Sequence, residues 1–271
     1  MATREEILRE LGLAPEWRVR GGTEPGQRAP AESAPVEPAG RGLAASPSSR
    51  TIVTAEDPAA RRARIAALDW DAFDADVAAC TACGLCRSRN KSVPGVGDRR
   101  AEWLFVGEGP GADEDAKGEP FVGQAGKLLD NMLAALGMRR GENVYIANVV
   151  KCRPPNNRTP QPAEAAACRP YLERQIALIR PRLIVALGRS AASLLLGTDA
   201  TIASLRGRRH RYGETPLVVT YHPAYLLRTL PDKARAWEDL LFARRVASSV
   251  ATSRDPSPDP LAPHDGGPHS A

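Results

Sequence analysis

The sequence predicts an α/β fold, three-layered α/β/α, on a four-stranded, largely parallel sheet. Short runs rich in Val, Ile and Leu alternate with stretches of helical spacing, the pattern of a sheet covered on both faces. The unusual residues of the chain also cluster just after those runs, where open α/β sheets build their sites. Strands are expected at 103–106, 144–148, 183–187 and 217–220, and helices at 126–136, 163–179, 190–196 and 233–247. Crossovers between the strands should be right-handed.

A chain of 271 residues with 42% hydrophobic content supports one well-packed domain, expected at 61–250, with tails to spare. Residues 21–60 are dominated by Gly, Pro, Ala, Ser, Glu and Arg and read as a disordered linker, because they bury too little to offset chain entropy. Within 1–20, Ile7, Leu8 and Leu11 have helical spacing, which fits a short docking helix or a frayed terminus. Residues 251–271, rich in Pro, Asp, Ser and Gly, read as a disordered tail. The longest apolar run, 183–187, is far short of the roughly 20 residues of a membrane span, and 1–20 lack an apolar signal core, so no membrane association is expected.

Charge is uneven. Residues 80–245 hold 26 Lys/Arg against 16 Asp/Glu, while the flanks hold 11 against 16, which together give the formal +5. A basic ordered part suits a polyanion, since phosphate neutralisation releases counterions, but it equally describes a solvated Arg-rich surface.

Five cysteines without an export signal argue against disulfides, and the odd number fits a pairing scheme poorly. Cys80-x-x-Cys83 is followed much later by Cys152 and Cys168. Four thiolates hold either a 4Fe–4S cluster or a tetrahedral zinc, and spacing does not choose between them. Cys86 reads as a reduced bystander. Four protein ligands leave no open position, so the site is a brace for the loop carrying Cys152 and takes no part in catalysis.

Four strand ends supply the chemistry. After the first comes Gly107-Glu-Gly-Pro-Gly111, a tight turn in which Gly107, Gly109, Pro110 and Gly111 let backbone approach a ligand, and Glu108 offers a carboxylate to handle water. The following Asp113-Glu-Asp115 reads as a solvated acidic edge, or as a run from which Asp113 or Glu114 assists Glu108. Phe121 lies in a Gly-rich loop and is either a core plug or a stacking platform for a base. Asn148 ends the second strand; its amide has one donor and one acceptor edge, matching uracil O4 and N3–H and opposing cytosine. Gly188 follows the third strand. His222 follows the fourth, as a satisfied structural histidine or as a donor to a departing base. Beyond it, Leu226, Leu227 and Arg228 read as a DNA wedge or as a hydrophobic staple onto the last helix.

Taken in order, Gly107-Glu-Gly-Pro-Gly111, Pro120-Phe-Val-Gly123, Asn148-Val-Val-Lys-Cys-Arg-Pro-Pro155 and His222-Pro-Ala-Tyr-Leu-Leu227 resemble the family 4 uracil-DNA glycosylases across residues 80–245. The resemblance implies monofunctional removal of uracil from uracil-containing DNA in base-excision repair. It also implies a 4Fe–4S cluster on Cys80, Cys83, Cys152 and Cys168, choosing iron over zinc. Phe121 would stack on uracil, Asn148 read its edge, His222 stabilise the leaving anion and Glu108 handle water. The Leu226–Leu227 region would fill the gap left by the extruded nucleotide. A cytoplasmic, nucleoid-associated monomer is expected, with the N-terminal extension as a tether for a protein partner or a spacer. A related branch carries a basic, His-containing insertion after Phe-Val-Gly and becomes trapped on DNA; here 124–130 run directly into a helix, which implies ordinary turnover. Two rivals are a non-catalytic DNA-binding or damage-sensing module of the same fold, and a zinc-braced nucleotide hydrolase or transferase. The latter lacks the Gly-x-x-x-x-Gly-Lys-Ser/Thr pattern after a strand.

Overall fold

A computed structural model describes residues 56–254. The helix expected within 1–20, residues 21–55 of the linker and residues 255–271 of the tail lie outside the described residues.

Two aspartate-capped helices open the described part. In α1 (Pro58–Ala67) the Asp57 carboxylate accepts the Ala60 N–H at 3.0 Å, and in α2 (Trp70–Ala79) Asp69 accepts the Ala72 N–H at 2.9 Å. The last residues of the expected linker, 58–60, are thus the first turn of α1. There follow β1 (Val96–Gly97), β2 (Trp103–Gly107), α3 (Ala112–Lys117), α4 (Gln124–Ala135) and β3 (Val144–Asn148). The second half runs α5 (Pro162–Ile179), β4 (Leu183–Leu187), α6 (Arg189–Leu196), α7 (Ile202–Leu205), β5 (His210–Tyr212), β6 (Thr215–Thr220), α8 (Pro223–Leu226) and α9 (Asp232–Arg254). Helix α9 thereby takes in the first residues of the expected tail.

The sheet has six strands, not four, in the order β1-β3-β2-β4-β6-β5. The four expected strands are its parallel centre, β3-β2-β4-β6. Antiparallel edges β1 and β5 were missed because they are two and three residues long and only partly buried, so neither contains an apolar run.

Strands β2, β3 and β4 are buried at every position. Alternate residues serve opposite faces. Leu104 and Val106 of β2 join Ile65, Phe73, Tyr171 and Leu172 from α1, α2 and α5. Trp103 and Phe105 join Leu129 and Leu133 of α4 and Leu240 and Ala243 of α9. Three layers result. The β2-to-β3 connection uses the α4 face and moves one way across the sheet, whereas β3-to-β4 uses the α5 face and moves the other, as a single handedness requires. Adjacent strands β2 and β4 therefore send their chains apart, which opens a crevice at their carboxyl ends. No described helix is long and apolar enough to cross a membrane.

Phe105 is fully buried in the central strand. Phe105→Ala should cost about 3–5 kcal/mol in a urea titration; a loss below about 1 kcal/mol would contradict this packing.

Candidate active site

Backbone pairing continues past the ends of β2 and β3. Val149 N–H donates to the Gly107 carbonyl at 2.9 Å and Val150 N–H to the Glu108 carbonyl at 3.2 Å, so the turn after β2 is held by the chain leaving β3. Gly107 is needed for what sits above it. A Cβ there would lie 2.4 Å from Asn148 Oδ1 and 2.7 Å from Phe121 Cζ, so only glycine lets the carboxamide and the ring approach each other.

Glu114 ties this turn to the Phe121 loop. Its carboxylate accepts the Gly111 N–H at 3.0 Å, capping α3, and also the N–H groups of Val122 at 3.0 Å and Gly123 at 3.3 Å. Asp115 is buried and accepts the backbone and side-chain N–H groups of Asn90 at 2.9 and 2.6 Å. The acidic run is therefore not the solvated edge expected from its composition: only Asp113 is exposed, and the other two carboxylates organise loops.

Phe121 holds a left-handed backbone, φ 55°, which costs a non-glycine residue roughly 1–2 kcal/mol. Arg140 offsets that strain. Its guanidinium donates to the carbonyls of Pro120 and Phe121, both at 2.8 Å, while Asp130 anchors it from α4 at 3.0 Å. Gly126 clears the space beneath, since a Cβ there would fall 1.7 Å from the Phe121 carbonyl oxygen. The ring is thereby fixed against the site, 5.5 Å from the His222 ring and tilted 31° to it.

Among the described residues, two buried side-chain polar atoms have no hydrogen-bond partner, and both line this cleft: Asn148 Oδ1 and Glu108 Oε1. Buried acceptors are nearly always satisfied, so an unpaired couple marks a place for a ligand that brings its own donors.

His222 follows β6 and caps α8. Its Nδ1 accepts the Ala224 N–H at 3.1 Å, so the proton of the neutral ring resides on Nε2, which is left to donate. Burial pushes its pKa down to about 4, the Arg228 cation acts in the same sense, and Glu114 opposes them weakly. The imidazole is neutral near pH 7. Gly188, at φ 91°, makes room for it, because a Cβ there would lie 2.9 Å from His222 Cβ.

Glu108, Phe121, Asn148 and His222, predicted from four separate segments, thus line one cleft of about 510 Å³ together with Gly109, Pro110 and Gly111. Gly107 lies under its floor. The loop after β3 supplies a wall the sequence reading missed, with Arg158 at its rim held two-pronged by Glu164 at 2.7 and 2.9 Å. Arg228 lines the cleft as well. Leu226 does not suit a wedge, which corrects the expectation: it is fully buried against Tyr221 and Ala236, because α8 turns it inward. In the loop that follows, Leu227 at 42% and Leu230 at 60% are the exposed large apolar side chains; among the described residues Trp237 on α9 is the third.

Cys80, Cys83, Cys152 and Cys168 line a second, small cavity, and Cys86 joins them. They come from the end of α2, the turn after it, the loop after β3 and helix α5. Three sulfurs face N–H donors: Cys80 from Arg61 at 3.4 Å, Cys152 from Arg89 at 2.9 Å and Cys168 from the Lys151 backbone at 3.2 Å. Among the described residues, no group of three or more His, Cys, Asp or Glu is arranged to hold a single metal ion.

Residues 94–241 match the family model of the uracil DNA glycosylase superfamily. The chain belongs to that superfamily. Within it, this family member is 50% identical over 160 residues to the type-4 uracil-DNA glycosylase of Archaeoglobus fulgidus, covering 56% of this chain and 80% of the relative. It is 49% identical over 158 residues to the type-4 enzyme of Thermotoga maritima, covering 58% and 82%. Similarity to the type-5 uracil-DNA glycosylase of Thermus thermophilus is lower, 34% over 151 residues, covering 49% and 68%. The chain thus belongs with the type-4 relatives.

The histidine geometry has a measurable signature. An unfolded-chain histidine titrates near 6.5 and folded His222 near 4, so the unfolded state binds the extra proton between those values. The His222 contribution to stability is intact above about pH 6.5 and is lost as pH falls towards about 4. Ring ¹⁵N NMR at pH 6 should find the neutral Nε2–H form, and a titration near 6.5 or a proton on Nδ1 would contradict the geometry.

Proposed function

We propose that this protein hydrolyses the bond joining uracil to deoxyribose in DNA, releasing free uracil and so initiating base-excision repair. The observation that carries this reading is the pair of buried acceptors without a protein donor, Asn148 Oδ1 and Glu108 Oε1, beside a neutral imidazole with its N–H turned to the cleft. A pyrimidine with N3–H, flanked by two carbonyls, and one water satisfy all three.

In this reading Arg158 and Arg228 bind phosphates at the rim, within the domain's surplus of 26 basic over 16 acidic residues. Exposed Leu227 and Leu230 occupy the gap left by the extruded nucleotide, a role in which buried Leu226 can only support them. The flipped base stacks on Phe121, worth ~1–3 kcal/mol. Asn148 Oδ1 accepts uracil N3–H and its amide N–H donates to O4. Cytosine presents the reversed pattern and leaves two buried polar groups facing their own kind.

As the glycosidic bond lengthens, the sugar becomes oxocarbenium-like and negative charge spreads onto the base. His222 Nε2–H donates to O2, where that charge grows; being neutral, the ring needs no prior protonation. Glu108 holds the attacking water on the sugar and takes its proton as the new C–O bond forms. No covalent link to the protein and no strand-cleaving amine are required.

The thiolates of Cys80, Cys83, Cys152 and Cys168 would hold a 4Fe–4S cluster, the group implied by the family resemblance. Their shared cavity, the N–H donors aimed at their sulfurs and the cations of Arg61 and Arg89 suit a negatively charged iron–sulfur group. Bound there, it supplies a cross-link between α2, the loop after β3 and α5. The hydrolytic groups above act without it.

Single-turnover release of uracil from a uracil-containing duplex tests the reading. Asn148→Ala and His222→Ala should each slow release about 10²–10³-fold, and Glu108→Gln about 10²–10⁴-fold. The rate should hold from pH 8 down to 6, since His222 gains its proton only near 4. Tight binding of the duplex with no release of base, or wild-type rates in all three variants, would overturn it.

A further inference from the structure

Lys151 is fully buried, yet no step above uses it. Lysine is almost never found so deep unless its ammonium has partners. Here Nζ donates to the backbone carbonyl of Asn148 at 2.8 Å and to Gln175 Oε1 on α5. The Gln175 amide in turn donates to the Pro94 carbonyl at 2.8 Å and to the Tyr145 hydroxyl at 3.3 Å. A continuous buried chain of hydrogen bonds therefore runs from α5 to the last residue of β3, the residue whose carboxamide faces the base.

The position of that carbonyl explains the arrangement. Beyond Asn148 the chain is held on one side by the Gly107 and Glu108 carbonyls, which accept from Val149 and Val150. Lys151 reaches back three residues to hold the Asn148 carbonyl itself, and its own N–H donates to Cys168 Sγ at 3.2 Å. One residue, through its backbone N–H on the cysteine side and its Nζ on the Asn148 carbonyl, thus joins the cysteine cavity to the strand end that lines the base cleft.

We propose that Lys151 is a positioning residue for Asn148: by holding the Asn148 carbonyl it fixes the main chain from which the carboxamide projects, and so sets how well the site recognises the uracil edge. The proposal rests on the uracil-excision reading above. Misplacing a recognition group by about 1 Å is enough to cost on the order of 10²-fold in rate.

The test is a double-mutant cycle on the full-length protein, with visible absorbance recorded to check the cysteine site. Lys151→Met keeps an apolar stem of similar length and removes the donor. It should slow single-turnover uracil release about 10–10²-fold and weaken inhibition by free uracil comparably. Affinity for a duplex carrying an abasic analogue, which lacks the base, should change less than about twofold. On the Asn148→Ala background the same substitution should cost less than about twofold, because the group it positions is gone. Should Lys151→Met fail to fold or lose its absorbance, Gln175→Leu leaves Lys151 and every cysteine in place; it should slow release about 3–10-fold with the same dependence on Asn148. Equal losses with and without Asn148, in whichever variant folds, would overturn the proposal and leave the activity standing. A wild-type protein that releases no uracil would remove the activity and the proposal with it.

Discussion

Two buried oxygen atoms that no protein group donates to, on Asn148 and Glu108, are the feature on which the rest of the site depends. Each such atom costs on the order of 1–3 kcal/mol while nothing donates to it. A fold bears that cost only where surrounding structure prevents the side chains from turning towards water or towards each other. The free energy stored in this way is recovered when a ligand arrives with donors in the right places, which makes the cleft selective as well as receptive.

The restraint comes from both covalent economy and buried hydrogen bonding. Gly107, Gly126 and Gly188 each omit a Cβ at a point where one would collide with Asn148 and Phe121, with the Phe121 carbonyl, or with His222. Glu114 and Arg140 then hold the two loops by their backbone groups, so neither relies on its own side chains for position. The Phe121 ring, the Asn148 carboxamide and the His222 imidazole are consequently set by three independent devices at the carboxyl ends of the central strands. The switch point between β2 and β4 brings those devices together.

The legible part of this architecture was whatever is written locally. Apolar runs of four or five residues marked β2, β3 and β4, and the residues at their ends marked the cleft, because strand interiors buried on both faces are apolar. The illegible part was tertiary. Edge strands β1 and β5 carry no apolar run, and α1 buries only Ile65, so its Ala/Arg-rich sequence read as linker up to residue 60. Asp115 looked like any surface carboxylate until Asn90 closed over it. Leu226 and Leu227 are chemically identical, and only the four-residue helix α8 decides which faces inward. Arg140 and Lys151 belong to types that sequence reasoning assigns to solvent; their roles emerge only when backbone carbonyls from elsewhere meet them.

The most direct measurement is a crystal structure of the protein with free uracil in the cleft. In that complex N3–H should donate to Asn148 Oδ1, O2 should accept from His222 Nε2, the ring should lie on Phe121 and a water should donate to Glu108. Uracil bound with its ring away from Phe121, or Asn148 Oδ1 and Glu108 still without donors in the complex, would contradict it.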